Sequence, residues 1–205
     1  MKQKNKLVVK TFFIASMCVQ MTLFMMSCNN NSTTDQNKPE DTKKVAEEQN
    51  DAKFEGDKSK DAEFLVKAAG INLEEVKLGE LAQEKGMSQD IKDLGKMMAE
   101  QHQKSMEDLE SLAAKKSITL PTTITDDGKK TYDKLSEKSG KDFDKAFADK
   151  MVDGHKDAIS MFEKASNDAQ DPEIKTWASV TLVTLHRHLD HATECQKKFE
   201  NKHKM

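Results

Sequence analysis

Residues 88–116 read SQDIKDLGKMMAEQHQKSMEDLESLAAKK. Ile91, Leu94, Met98, His102, Ser105 and Leu109 recur at the three-and-four spacing that puts side chains on one helix face. Ser88 stands ahead of the run as an N-cap, and Pro121 lies beyond its end. A helix this long with one apolar stripe needs partners to cover it. The flanking sequence supplies three: a segment from Asp61 to Lys85 stopped by Gly86, a segment from Lys141 to Ser166, and one opened by Asp171-Pro172-Glu173. In the last, a capping aspartate precedes a proline whose fixed φ suits the first helical turn. From Asp61 onward Gly and Pro are scarce and β-branched runs are absent, so the sequence predicts an all-α fold.

The connections set the topology. Gly86-Met87 and Asn167 to Gln170 are tight, which makes the first two long helices, and the last two, antiparallel hairpins. Residues 117–140 differ, with a Pro121-containing stretch and then a short helical piece capped by Thr125 and closed by Gly140. That is too much chain for a turn and enough to cross a bundle from end to end. The second and third long helices then run parallel, giving a ferritin-like four-helix bundle with a long crossover that contains a short helix.

Each stripe carries one ionisable side chain: Glu75, His102, His155 and His188. Helical rise places His102 level with His155, and Glu75 level with His188. Three imidazoles and a carboxylate meeting in a bundle interior would suit Zn²⁺, Cu²⁺ or Mn²⁺. The di-iron pattern is missing, because Ala99 and Leu185 stand where its glutamates belong. The competing reading is a hydrogen-bonded polar layer, such as Glu75 paired with His188, that fixes helix register. Met98, Met106 and Met151 at i±4 from two of the histidines read as core filler, with sulfur-assisted copper binding the alternative. His186 lies nearly opposite His188 on the wheel, and His191 follows it at i+3. No phosphate loop, nucleophile elbow, paired CxxC or HExxH is present, so no residue is assigned as catalytic.

The chain begins differently. Lys2, Lys4, Lys6 and Lys10 precede an apolar run from Thr11 to Met26, and Ser27-Cys28 opens a polar segment. This is the order of a secretory signal over residues 1–27. The ending Leu23 to Cys28 resembles a bacterial lipoprotein signal, in which Cys28 becomes the lipidated first residue and anchors the protein to a membrane of the cell envelope. Residues 28–58 offer little to bury and are expected as a flexible polar tether, transiently helical around residues 40–53, to a domain over 59–205. Removing residues 1–27 takes four lysines and no acid from 33 basic and 36 acidic side chains, so the mature chain is more negative than the full chain's −3. Without a basic cluster there is no electrostatic footprint for nucleic acid. Once Cys28 carries lipid, Cys195 has no partner within the chain; its place on the last stripe marks it as a small packed hydrophobe.

Leu73 to Ala82, Met97-Met98-Ala99-Glu100-Gln101-His102, Phe143 to Phe147 with Met151 to Lys156, and Leu182 to Leu189 together resemble the exported bacterial family called domain of unknown function 4142. The resemblance spans about Asp61 to Phe199 and implies a ferritin-like bundle and export, with no established activity. Its helix 1 glutamate and its histidine on each later helix map onto Glu75, His102, His155 and His188. Gln101 replaces an acidic residue often found before the second-helix histidine, and Val183 replaces a proline often found in the last helix. The expected function is that of an envelope lipoprotein that binds a ligand or serves a stress response, with a Glu/His metal site. The alternatives are a metalloenzyme acting on peroxide or a redox metal, and a metal-free structural or partner-binding protein.

Overall fold

The computed structural model describes residues 41–201, which form six helices and no strand. The signal segment, Cys28 and the first part of the expected tether lie outside the described residues. The helices are α1 (Thr42–Asp51), α2 (Asp57–Lys85), α3 (Gln89–Lys116), α4 (Asp126–Ser136), α5 (Gly140–Asp168) and α6 (Pro172–Asn201). Caps occur where the sequence places them. The Ser88 hydroxyl accepts from Ile91 N–H, Thr125 from Gly128 N–H, and the Asp171 carboxylate from Glu173 and Ile174 N–H.

The long helices pack as two hairpins, α2 with α3 and α5 with α6, and the hairpins then pack α2 on α5 and α3 on α6. Their relative direction is fixed by two buried aspartates. Asp61, at the start of α2, accepts from the backbone N–H groups of Gln170 and Asp171 in the α5–α6 turn. Asp144, at the start of α5, accepts from Met87 and Ser88 N–H in the α2–α3 turn, at 2.8 and 2.9 Å. Each hairpin's turn is therefore held by the other's first helix, so α3 and α5 run parallel and the crossover spans the bundle lengthwise. Lys116, at the end of α3, pairs with Asp171 and Glu173 at the same end as Asp61.

Two apolar clusters fill the interior. One centres on Phe64, Leu65, Leu109, Phe162 and Ile174, the other on Leu78, Ile91, Met98, Phe143, Phe147 and Met151. Cys195 is buried in the second, as its stripe position predicts. Within the first hairpin the backbones touch. A Cβ built on Gly79 would lie 2.5 Å from the Gly95 carbonyl oxygen, and one on Gly95 would lie 2.8 Å from that of Gly79. Only glycine permits that approach.

The expected tether is corrected over its second half. Residues 42–51 are helical and packed on α2, with Ala46 and Asn50 buried. Asn50 holds the crossover through both ends of its amide: Nδ2 donates to Thr119 O and Oδ1 accepts from Thr119 N–H, each at 2.8 Å. Thr42 meets Thr123 in the same way at the helix start. These paired polar groups compensate for the polar composition that suggested a loose chain.

Candidate metal centre

His102, His155 and His188 come from α3, α5 and α6 and are 3%, 2% and 1% exposed. One ring nitrogen of each lies within 4.8 Å of the others, the only such cluster of His, Cys, Asp or Glu among the described residues. Ring centroids are 5.1 to 5.6 Å apart. The wheel thus points all three histidines inward, and the structure brings them to one level.

The fourth sequence candidate stands apart. Glu75 is buried, but its carboxylate is not part of the cluster of three. Its Oε1 sits 3.5 Å from where a Cβ on Gly154 would be, and Lys150 Nζ is 3.8 Å from that same point. Oε2 has no hydrogen-bond partner. The expected Glu75–His188 pair does not form; His188 meets His155 instead. Counting heights from the turns misplaced His188, since drift over four turns of helix is enough to change its neighbour.

Proton positions follow from the partners. His155 Nδ1 lies 2.8 Å from the Met151 carbonyl, which can only accept, so the proton is on Nδ1 and Nε2 is bare. His102 Nδ1 lies 2.9 Å from Asn72 Oδ1, whose amide nitrogen in turn donates to Ser105 Oγ. That leaves His102 Nε2 bare, and it is a buried atom with no partner. His188 Nε2 lies 2.9 Å from Gln101 Oε1. Arg187, a donor only, reaches that same oxygen at 2.6 Å, which fixes the amide's orientation and puts the His188 proton on Nε2. His188 Nδ1 is then bare and faces His155 Nε2 at 3.2 Å.

All three N–H groups are directed to oxygen, and the bare nitrogens of His155 and His188 face each other. No proton is left for the His155–His188 contact while both rings are neutral. Neutrality is what the surroundings impose. Burial holds His102 well below the usual imidazole range, with the charges of His188 and His155 adding to the effect. His188 is lowered to about 3, by burial first and then by His155, Arg187 and His191. His155 is lowered by burial, against the opposing hydrogen bond to Met151. Glu75 is raised to about 8 because burial outweighs the attraction of Lys150.

Sequence reasoning missed Asn72 and Gln101 as groups that orient the imidazoles, although Asn72 precedes Glu75 by three on the same helix face and Gln101 precedes His102. Met98, Met106 and Met151 are core residues, and it is the carbonyl of Met151 that serves His155. His186 and His191 are exposed.

A family profile described as Domain of unknown function (DUF4142) matches residues 43–195. The chain belongs to this family. Among solved structures, the DUF4142 chain is similar to one described as "Crystal structure of DUF305 fragment from Deinococcus radiodurans", at 13% identity and a TM-score of 0.60, covering 67% of this chain and 95% of that one. At that identity the likeness speaks for the fold alone. Among curated proteins, none matches the sequence.

Proposed function

We propose that this DUF4142 protein is a cell-envelope lipoprotein, lipidated at Cys28, whose ferritin-like four-helix bundle holds one divalent metal ion on His102 Nε2, His155 Nε2 and His188 Nδ1. The observation that carries this reading is the convergence of three lone pairs, each on a ring whose other nitrogen donates to a fixed oxygen. Metal-ligating histidines are built this way, because the outer hydrogen bond sets the tautomer and aims the inner nitrogen. Donors around an ion at about 2.0–2.1 Å in tetrahedral array stand roughly 3.3 Å apart, and His155 Nε2 and His188 Nδ1 are 3.2 Å apart. A polar layer serving register alone would place a proton between these two atoms.

Donor chemistry narrows the ion. Three imidazoles without a carboxylate favour Zn²⁺ or Cu²⁺ over Mn²⁺, which prefers oxygen ligands. The bound ion would act as a Lewis acid or redox centre. The chain's own contribution is to keep the rings neutral and oriented, and to exclude bulk water through the apolar clusters on either side.

Elemental analysis of protein lacking residues 1–27 tests the reading. One metal per chain is expected, absent from His102→Ala and His188→Ala variants that keep their helical circular dichroism. Protein that stays empty after incubation with Zn²⁺ and with Cu²⁺ rejects it.

A further inference from the structure

Resting on that metal reading, we infer that Glu75 turns in from α2 as the fourth ligand, so that each of the four long helices gives the ion one donor. The histidine cluster draws on α3, α5 and α6 and takes nothing from α2. Ions of the zinc type held wholly by protein take four ligands, and a glutamate oxygen bonds them at about 2.0–2.2 Å, nearly the imidazole distance.

Glu75 stands at the right height for this. Asn72, one turn before it on the same face of α2, takes the His102 proton. Toward α5, Glu75 Oε1 lies 3.5 Å from where a Cβ on Gly154 would be, and Gly154 is the residue before His155. The carboxyl is therefore level with the cluster and offset from it sideways. Glycine at 154 puts no side chain into that gap. A glutamate has several staggered rotamers, so turning about its side-chain bonds carries the carboxylate several ångströms without moving the helix.

Little holds the carboxyl where it is. Oε2 is buried without a hydrogen-bond partner, and Lys150, the cation that acts on Glu75, pairs with Glu74 at 2.9 Å. His102 Nε2 is buried and unpartnered too. Buried polar atoms rarely go without partners, and one ion bound by both would satisfy both. Charge points the same way. Three neutral imidazoles leave a divalent ion uncompensated in the interior, whereas a bound carboxylate offsets half of its charge. With three nitrogens among four donors, the preference for Zn²⁺ or Cu²⁺ stands.

The test compares Co²⁺-loaded parent protein with Glu75→Leu, because visible absorption of Co²⁺ reports its ligand set. Leucine has similar size and no donor atom. The variant is expected to keep its helical circular dichroism, to bind cobalt roughly 100-fold more weakly, and to show a visible spectrum different from the parent's. Should it bind too little cobalt for a spectrum, Glu75→Gln is read in its place, with a changed spectrum again expected. An unchanged spectrum and affinity overturn the inference and leave the three-histidine reading standing. Weaker binding with an unchanged spectrum also overturns it, by showing that the carboxylate acts through its charge and not as a ligand. Failure of the parent to bind cobalt removes the metal reading and the inference with it.

Discussion

At the scale of single residues, the site depends on three oxygens that never touch the ion. Met151 O, Asn72 Oδ1 and Gln101 Oε1 each take an imidazole proton, and Arg187 keeps the Gln101 amide from turning over. Gln101→Leu is expected to leave the fold intact and lower metal affinity by about 10- to 100-fold, the usual effect of losing an outer hydrogen bond. Isothermal titration with Zn²⁺ measures it. Arg187→Ala should fall between that variant and the parent, because the glutamine remains but is free to present its nitrogen. If Gln101→Leu binds Zn²⁺ as the parent does, the proton assignment for His188 is wrong. Helical periodicity gave the inward direction of all three histidines, since direction depends only on position along the wheel. It could not give tautomers, which depend on a backbone carbonyl and two side-chain amides. Nor could it place Glu75 outside the cluster, because a few ångströms of lateral offset leave the periodicity unchanged.

At the scale of elements, stripes and caps encoded α2 to α6, whereas α1 is held by polar pairs to the crossover. Within α1 only Ala46 and Asn50 are buried, too little for an apolar pattern to register. The anchor is Asn50 against the Thr119 backbone, 69 positions away, and long-range polar pairing leaves no local trace. Asn50→Ala leaves the carbonyl and N–H of half-buried Thr119 without their side-chain partner, at a cost of about 1 kcal/mol. The loss should be local. Hydrogen exchange is expected to show residues 42–51 unprotected while the centres of α2, α3, α5 and α6 keep their protection. Uniform loss of protection would make α1 an integral part of the bundle. The glycine contact is the opposite case, local in sequence and strict in packing. Gly95→Ala would bring a methyl within 2.6 Å of Ala82 Cβ and within 2.8 Å of the Gly79 carbonyl. Neither can yield without moving a helix, so a loss of about 1–3 kcal/mol is expected in urea denaturation.

At the scale of the whole molecule, the two hairpins are built to one plan and differ where the chemistry lies. Asp61 and Asp144 hold equivalent places near the starts of two 29-residue helices, and each caps the other hairpin's turn. The Asn72–Ser105 and His155–His188 pairs are each 33 residues apart and occupy matching positions, one bearing amide and hydroxyl, the other two imidazoles. Concentrating neutral histidines and a protonated carboxyl in one interior makes stability depend on pH in two opposed ways. In the metal-free protein the histidines stay neutral when folded but take up protons near the ordinary imidazole value of 6.5 when unfolded. The unfolded state then binds more protons, so stability falls as pH drops below about 6.5, by up to about 1.4 kcal/mol per pH unit for each histidine; for His188 this continues toward pH 3. Glu75 acts on the other side. Its folded value is about 8 against an ordinary 4.5, so here the folded state binds the extra proton, and stability is lost as pH rises from 4.5 to 8. Urea midpoints of chelator-treated protein should therefore peak near pH 6.5, because below it three histidines outweigh the opposing Glu75 and above it Glu75 acts alone. Glu75→Gln keeps the size and removes the charge. It is expected to flatten the alkaline limb, raising stability at pH 8 by on the order of 3 kcal/mol relative to its effect at pH 5, and to leave the histidine contribution in place. Parallel profiles for the variant and the parent would mean that the Glu75 carboxylate is ionised in the folded interior at neutral pH, with Lys150 as its counter-charge.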